Sequence, residues 1–217
     1  MNKVVVRSIS GTVFILVMLA GLLLDRFLFA TLVGFIGVGM IWELVAMCKS
    51  KKLLACWIPY IILSVAVLFF LGFPGGEFSG KLLLAFFIMI WSSDVGAFCV
   101  GSLLGQKAGS RKLAPSISPN KSWVGFWGGL VFTVAAGVIL HYTGMLAFPV
   151  VHCVVLAVIV HCFGVCGDLM ESALKRYCGV KDSGNIIPGH GGLLDRFDST
   201  LLAVPAGALY LFVFRLL

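Results

Sequence analysis

Charge is what this sequence has least of. Only 12% of its 217 residues are charged, and only nine are acidic, where a soluble domain carries roughly 25% charged residues. Together with 60% hydrophobic residues and a mean hydropathy of +1.10, that scarcity excludes a soluble globular domain and predicts an integral membrane protein. The chain also lacks an internal repeat and a low-complexity linker, so a single domain over residues 1–217 is expected. A transporter built from two related halves with charges at the midplane is disfavoured for the same reason. The seven cysteines, Cys48, Cys56, Cys99, Cys153, Cys162, Cys166 and Cys178, include no C-x-x-C pair. His161, Cys162 and Cys166 could form a metal site on a helix, since i and i+4 share a face, although small packing residues in a membrane helix are the simpler reading. No small-x-small cleavage pattern closes the apolar stretch within residues 1–24, so "LLLDRFLF" reads as a tight turn between two antiparallel helices rather than the end of a leader.

Apolar runs are what fill the space. Seven are long enough to cross a bilayer, near residues 8–24, 27–47, 53–71, 82–104, 122–140, 147–167 and 199–217. The third carries Pro59 near its start, where a helix tolerates proline, and Pro205 predicts a kink in the seventh. All sixteen Lys and Arg residues except Arg26, Lys81 and Arg215 fall in alternate connections. The positive-inside rule then puts the amino terminus and both long polar loops, 105–121 and 168–198, in the cytoplasm. The net charge of +7 is thereby explained by membrane boundaries, without nucleic acid. The predicted fold is an all-α polytopic bundle of about seven transmembrane helices with cytoplasmic active-site loops.

The few acids are not scattered. Asp168, Glu171, Asp182, Asp195 and Asp198 lie in or beside the last cytoplasmic loop, interleaved with Lys175, Arg176, Lys181, His190 and Arg196. In "GDLMESALKR", Asp168, Glu171 and Lys175 share one helical face. In "PGHGGLLDRFD", glycines allow backbone to approach a bulky anion, and Asp195 and Asp198 follow at the mouth of the last span. Paired hard carboxylates beside cations and glycines suit Mg²⁺ and a polyphosphate, whereas mixed charge alone would mark only a solvated loop. The loop "GQKAGSRKLAPSISPNKSW" sets Lys107, Arg111, Lys112 and Lys121 among Ser116, Ser118 and Asn120. Such a loop suits a phosphate, or no substrate at all. Asp94, in "WSSDVGAF", is a carboxylate within a span and therefore marks either a functional site or an interhelical clamp with Ser92 and Ser93. Glu43, near the end of the second span, is expected to snorkel to the interface.

The run from Ser172 to Asp198, "SALKRYCGVKDSGNIIPGHGGLLDRFD", resembles the signature of the phosphatidate cytidylyltransferase (CDP-diacylglycerol synthase) family. It matches at Ser172, Lys175, Arg176, Lys181, Asp182, Pro188, His190, Gly191, Gly192, Asp195, Arg196 and Asp198. "GDLMES", "SDVGAF" and "ISPNKSWVG" are similar to family segments too, so the resemblance covers roughly residues 91–200. The family's upstream loop usually reads Ser-Pro-Lys-Lys-Thr-Trp-Glu-Gly, and this chain departs from it with Asn120, Ser122 and Val124. The resemblance implies transfer of a cytidylyl group from CTP to phosphatidate, giving CDP-diacylglycerol and pyrophosphate at a multi-pass site in the plasma membrane. It implies Mg²⁺, and it is compatible with a second metal ion and with a homodimer. Within it we divide the roles as follows: Asp168, Asp195 and Asp198 hold metal, while Lys175, Arg176, Lys181 and His190 bind phosphates. Asp94, Asp182 and Arg196 join the catalytic group, with Ser118, Lys121, Ser172, Gly191 and Gly192 at the substrates. A CTP-dependent lipid-alcohol kinase would share the metal-nucleotide site and transfer the γ-phosphoryl group instead.

Overall fold

The computed structural model describes residues 3–105 and 111–217, so Lys107 lies outside the described residues. These contain seven helices long and apolar enough to cross a membrane. In chain order they are α1 (Lys3–Leu23), α2 (Arg26–Met47), α3 (Lys51–Leu71), α4 (Lys81–Leu103), α5 (Trp123–Tyr142), α6 (Val150–Tyr177) and α7 (Leu194–Val213). The turn expected at "LLLDRFLF" is present. Asp25 caps α2 there, its carboxylate accepting from the amides of Phe27 at 2.7 Å and Leu28 at 3.3 Å.

Two helices depart from the hydropathy boundaries. α6 continues ten residues past the expected end at 167, because the polar side chains of its last turns pair inside the protein rather than facing lipid. α7 begins at Leu194, five residues before the expected start, so Asp195 and Asp198 lie in its first two turns and not in a loop. The loop after α4 is a hairpin of β1 (Lys112–Ala114) and β2 (Ser118–Ser122), with Lys112 opposite Ser122 and Ala114 opposite Ser118. Ser122 ends the hairpin and caps α5, its hydroxyl accepting from Gly125 N at 3.1 Å.

α4 lies along α5 and α6 along α7, with α3 packed on both α2 and α7. Phe29, Phe86, Phe197, Met40, Leu44 and Leu156 are fully buried between helices, while Val38, Trp42, Phe98, Val131 and Phe212 point outward, as lipid-facing positions do. Association of such helices rests on close packing and interhelical hydrogen bonds, since lipid is as apolar as the core. Pro205 shows how one bond is replaced. Its ring leaves the Leu201 carbonyl without the N–H four residues on, and the Ser64 hydroxyl of α3 donates to that carbonyl at 2.6 Å, so α7 continues unbroken to Val213.

The helix ends sort into two layers. Away from the polar segments, Phe29, Phe69, Phe73 and Phe78 form an aromatic cluster. At the opposite end the hairpin, the segment 178–193, the starts of α1 and α7 and the ends of α2 and α6 meet, joined by the contacts described next.

Candidate functional site

The first amides of a helix have no partner within it, and α7 begins in a buried position, so its entrance must be satisfied from elsewhere. Glu43 of α2 does this. Its Oε1 accepts from Leu193 N at 2.9 Å and its Oε2 from Leu194 N at 2.8 Å, placing a negative charge at the positive end of the helix dipole. Glu43 is buried, with 1% exposure, so the expected snorkelling to the interface is corrected. The reason is that an interfacial carboxylate would leave two buried N–H groups unpaired.

Asp195 closes the same joint from within. Its Oδ2 accepts from Ser183 N at 2.9 Å, Ser183 Oγ at 3.0 Å and Gly192 N at 2.8 Å. Its Oδ1 accepts from Lys175 Nζ at 2.6 Å. The Ser183 hydroxyl also lies 3.1 Å from Glu43 Oε2, so one serine bridges both carboxylates. Gly191 has φ +85°, and a Cβ there would come within 2.6 Å of Asp195 Oδ2. A Cβ on Gly192 would collide with the Glu43 carboxylate and Ser183 Oγ. The anions that these glycines admit are thus the protein's own Asp195 and Glu43.

Beyond this joint lies a cavity of about 450 Å³ walled by the hairpin, α4, α5, α6 and α7, with Asp94, Asn120, Lys121, Asp168 and Ser199 on its surface. Lys121 pairs with Asp168 Oδ2, and the Ser172 hydroxyl donates to Asp168 Oδ1 at 3.2 Å. Asp198 Oδ1 accepts from Ser199 N at 2.6 Å. Asp94, Asp168 and Glu171 all act electrostatically on Asp198. Lys175 Nζ is 2.6 Å from Glu171 Oε2 in a buried ion pair, and Glu171 Oε1 is buried with no hydrogen-bond partner among the described residues. Four carboxylates therefore face Lys121 and a Lys175 already shared with Asp195. Such an excess of hard oxygen ligands fits a divalent cation such as Mg²⁺ in its chemistry, although among the described residues no three acidic, His or Cys side chains already stand at ligating distance.

The structure thus brings Asp94, Lys121, Asp168, Ser172 and Asp198 together, and it separates Asp195 from the expected metal trio, because Lys175, Ser183 and Gly192 occupy its oxygens. Lys175 is buried between Glu171 and Asp195 and not open to a phosphate. Arg176 is exposed and donates to Val180 O at 3.1 Å, closing the end of α6. Lys181, Asp182 and Arg196 are exposed, and their side chains make no hydrogen bond or ion pair among the described residues. Ser118 pairs with Ala114 in the hairpin, off the cavity wall. His190 faces α1, its Nδ1 3.0 Å from Ser10 Oγ. Burial, with Arg196 and Arg7 nearby, holds His190 below the usual imidazole range. His161 donates or accepts at Ser93 Oγ, 2.8 Å away, and packs on Phe126 rather than joining Cys162 and Cys166 at a metal.

Glu43, Ser183 and Arg7 were not legible as site residues. The same cost that singles out Asp94 within a span applied to Glu43; Ser183 and Arg7 carry no local signal, since what they touch lies far away in sequence.

Comparison with known proteins finds named relatives over part of the chain. A stretch of 118 residues, 54% of this chain and 42% of the relative, is 49% identical to a phosphatidate cytidylyltransferase of Bacillus subtilis. Another of 128 residues, 57% of this chain and 43% of the relative, is 44% identical to a phosphatidate cytidylyltransferase of Haemophilus influenzae. One of 125 residues, 58% of this chain and 46% of the relative, is 40% identical to that of Staphylococcus epidermidis. The chain thus spans about half the length of the curated relatives it matches. Residues 54–214, from the start of α3 to the end of α7, match the Cytidylyltransferase family, and the chain belongs to that family.

Proposed function

We propose that this chain is a phosphatidate cytidylyltransferase, transferring CMP from CTP to phosphatidate to give CDP-diacylglycerol and pyrophosphate. The observation that carries the reading is the cavity on whose wall Asp94 and Asp168 stand beside Lys121, with Asp198 close enough for both acids to act on it. CTP and phosphatidate are both polyanions, and a wall of carboxylates repels both until cations intervene. Asp94, Asp168, Glu171 and Asp198 would hold Mg²⁺, which supplies charge neutralisation and a template for in-line displacement.

The remaining tasks fall to this chain's own groups. A phosphate oxygen of the lipid attacks the α-phosphorus of CTP and pyrophosphate leaves, so no side-chain nucleophile is required. Lys121, on the cavity wall, and Arg196, close enough to act on Asp94, offer positive charge to the phosphates. Lys175 acts at one remove, holding Glu171 and Asp195. The distribution of basic residues supports a cytoplasmic mouth, the side on which CTP is available.

The test is incubation of purified protein with Mg²⁺, phosphatidate and CTP labelled in the cytidine or in the γ-phosphate, followed by lipid extraction. Cytidine label in lipid, dependent on phosphatidate and Mg²⁺, is expected. Label from the γ-phosphate in lipid would establish a kinase instead.

A further inference from the structure

A second cavity lies apart from the acids. A groove of about 420 Å³ runs between α1 and α2, walled by Val13, Val17, Phe35, Ile36, Ile186 and Leu193. Along most of its length it offers only carbon. Its one polar end is different. Ser10, in the groove wall, donates to Pro188 O at 2.7 Å and lies 3.0 Å from His190 Nδ1. The stem of Arg7 rests on Gly189, where a Cβ would come within 2.7 Å of Arg7 Cγ. Arg7 and Arg196 both act electrostatically on His190, and neither guanidinium makes a hydrogen bond or ion pair among the described residues.

An apolar groove with a cationic mouth discriminates between ligands. A soluble polyphosphate has no use for the carbon walls, and a neutral lipid has none for two guanidinium groups. An anionic phospholipid uses both, with an acyl chain along α1 and α2 and its phosphate at Arg7, His190 and Arg196. Arg196 also acts on Asp94 in the acid-lined cavity, so one side chain stands between the lipid's phosphate and the carboxylates. We propose that the groove between α1 and α2 is the acyl-chain subsite for the anionic phospholipid, with Arg7, His190 and Arg196 as its phosphate clamp. The proposal rests on the cytidylyl-transfer reading and says where its lipid substrate sits.

The test uses the full chain in phosphatidylcholine nanodiscs doped with a phosphatidate that carries a photoreactive diazirine in one acyl chain, with labelled peptides mapped by mass spectrometry. Label is expected on the groove-facing residues of α1 and α2, displaced by excess phosphatidate and not by inorganic phosphate. Arg7→Gln should lower this labelling about tenfold, the loss of one charge-assisted contact. Val13→Trp, which fills the groove and leaves the clamp intact, should move the label elsewhere while the protein elutes as a single species. Label spread evenly over the outward faces of all helices, equal labelling by a diazirine phosphatidylcholine, or displacement by inorganic phosphate would each overturn the proposal. The same samples are assayed with cytidine-labelled CTP. Groove labelling without CDP-lipid would sink the reaction and uphold the subsite, whereas CDP-lipid formation with label on α4 or α5 would do the reverse.

Discussion

Asp195 and Asp198 stand three residues apart on α7, and their surroundings divide them. Among the described residues Asp198 keeps one oxygen free of hydrogen bonds and is close enough for Asp94, Asp168 and Glu171 to act on it, while Asp195 is tied to Lys175, Ser183 and Gly192. Asp198→Asn should therefore cut cytidylyl transfer by a hundredfold or more, since metal-mediated stabilisation is worth several kcal/mol at about 1.36 kcal/mol per tenfold. Its melting temperature should stay near that of the parent, and the rise that Mg²⁺ produces in the parent should shrink. Asp195→Asn should instead lose about 1–3 kcal/mol of stability, read as an earlier melting transition by size-exclusion fluorescence. Full activity in Asp198→Asn, or parental melting in Asp195→Asn, would reverse the two assignments.

His190 gives a pH dependence at the same scale. Burial and the nearby Arg196 and Arg7 hold its folded value below the ordinary 6.5. The unfolded chain therefore binds the proton first, and the stability contributed by the neutral ring is full above the ordinary value and lost as pH falls from there through the lowered one. The protection factors of residues 185–192, which remove the intrinsic pH dependence of amide exchange, should fall on acidification from pH 7.5 to 5. The dependence should flatten in His190→Gln; an unchanged profile in that variant would remove His190 as its source.

Among the elements, α7 is the one most dependent on its neighbours. Its entrance is satisfied by Glu43 from α2, its interior gap at Pro205 by Ser64 from α3, and its first turn by Lys175 from α6. Glu43→Ala leaves two buried amides and the Ser183 hydroxyl without that partner, which should cost about 1–3 kcal/mol. Exchange should accelerate across residues 190–196, with Glu43→Gln intermediate because an amide oxygen still accepts. A side chain at the interface would cost almost nothing, so parental stability in Glu43→Ala would contradict the cap. The expected ends of α6 and α7 were misplaced for a related reason. Hydropathy reads a polar turn as the end of a span, and the pairing of Glu171, Lys175 and Asp195 that keeps those turns helical joins residues from two elements.

At the scale of the molecule, both long polar segments meet at one end, as alternation of seven spans requires. With that end in the cytoplasm, Glu77→Cys in the turn before α4 and Ser116→Cys at the hairpin tip should lie on opposite sides of the bilayer. Impermeant maleimide applied to intact cells should label Glu77→Cys and spare Ser116→Cys until the cells are opened. Labelling of both in intact cells, with native cysteines replaced, would break the proposed topology.

The number of helices, their membrane character, the clustering of acids in residues 168–198 and the place of Asp94 within a span were all determined by the amino-acid sequence alone. Each is a local property: apolar length, hydropathy, or the cost of a carboxylate within a span. Which carboxylate holds a joint and which joins the cluster of acids was decided by the tertiary structure. Asp195 and Asp198 carry the same side chain one turn apart on the same helix. Only folding brings Lys175, Ser183 and Glu43 to the first and Asp94, Asp168 and Glu171 to the second. The physical reason is that hydrogen bonds and charge repulsion act over a few ångströms in space, and the residues concerned are separated by as many as 151 positions in the chain.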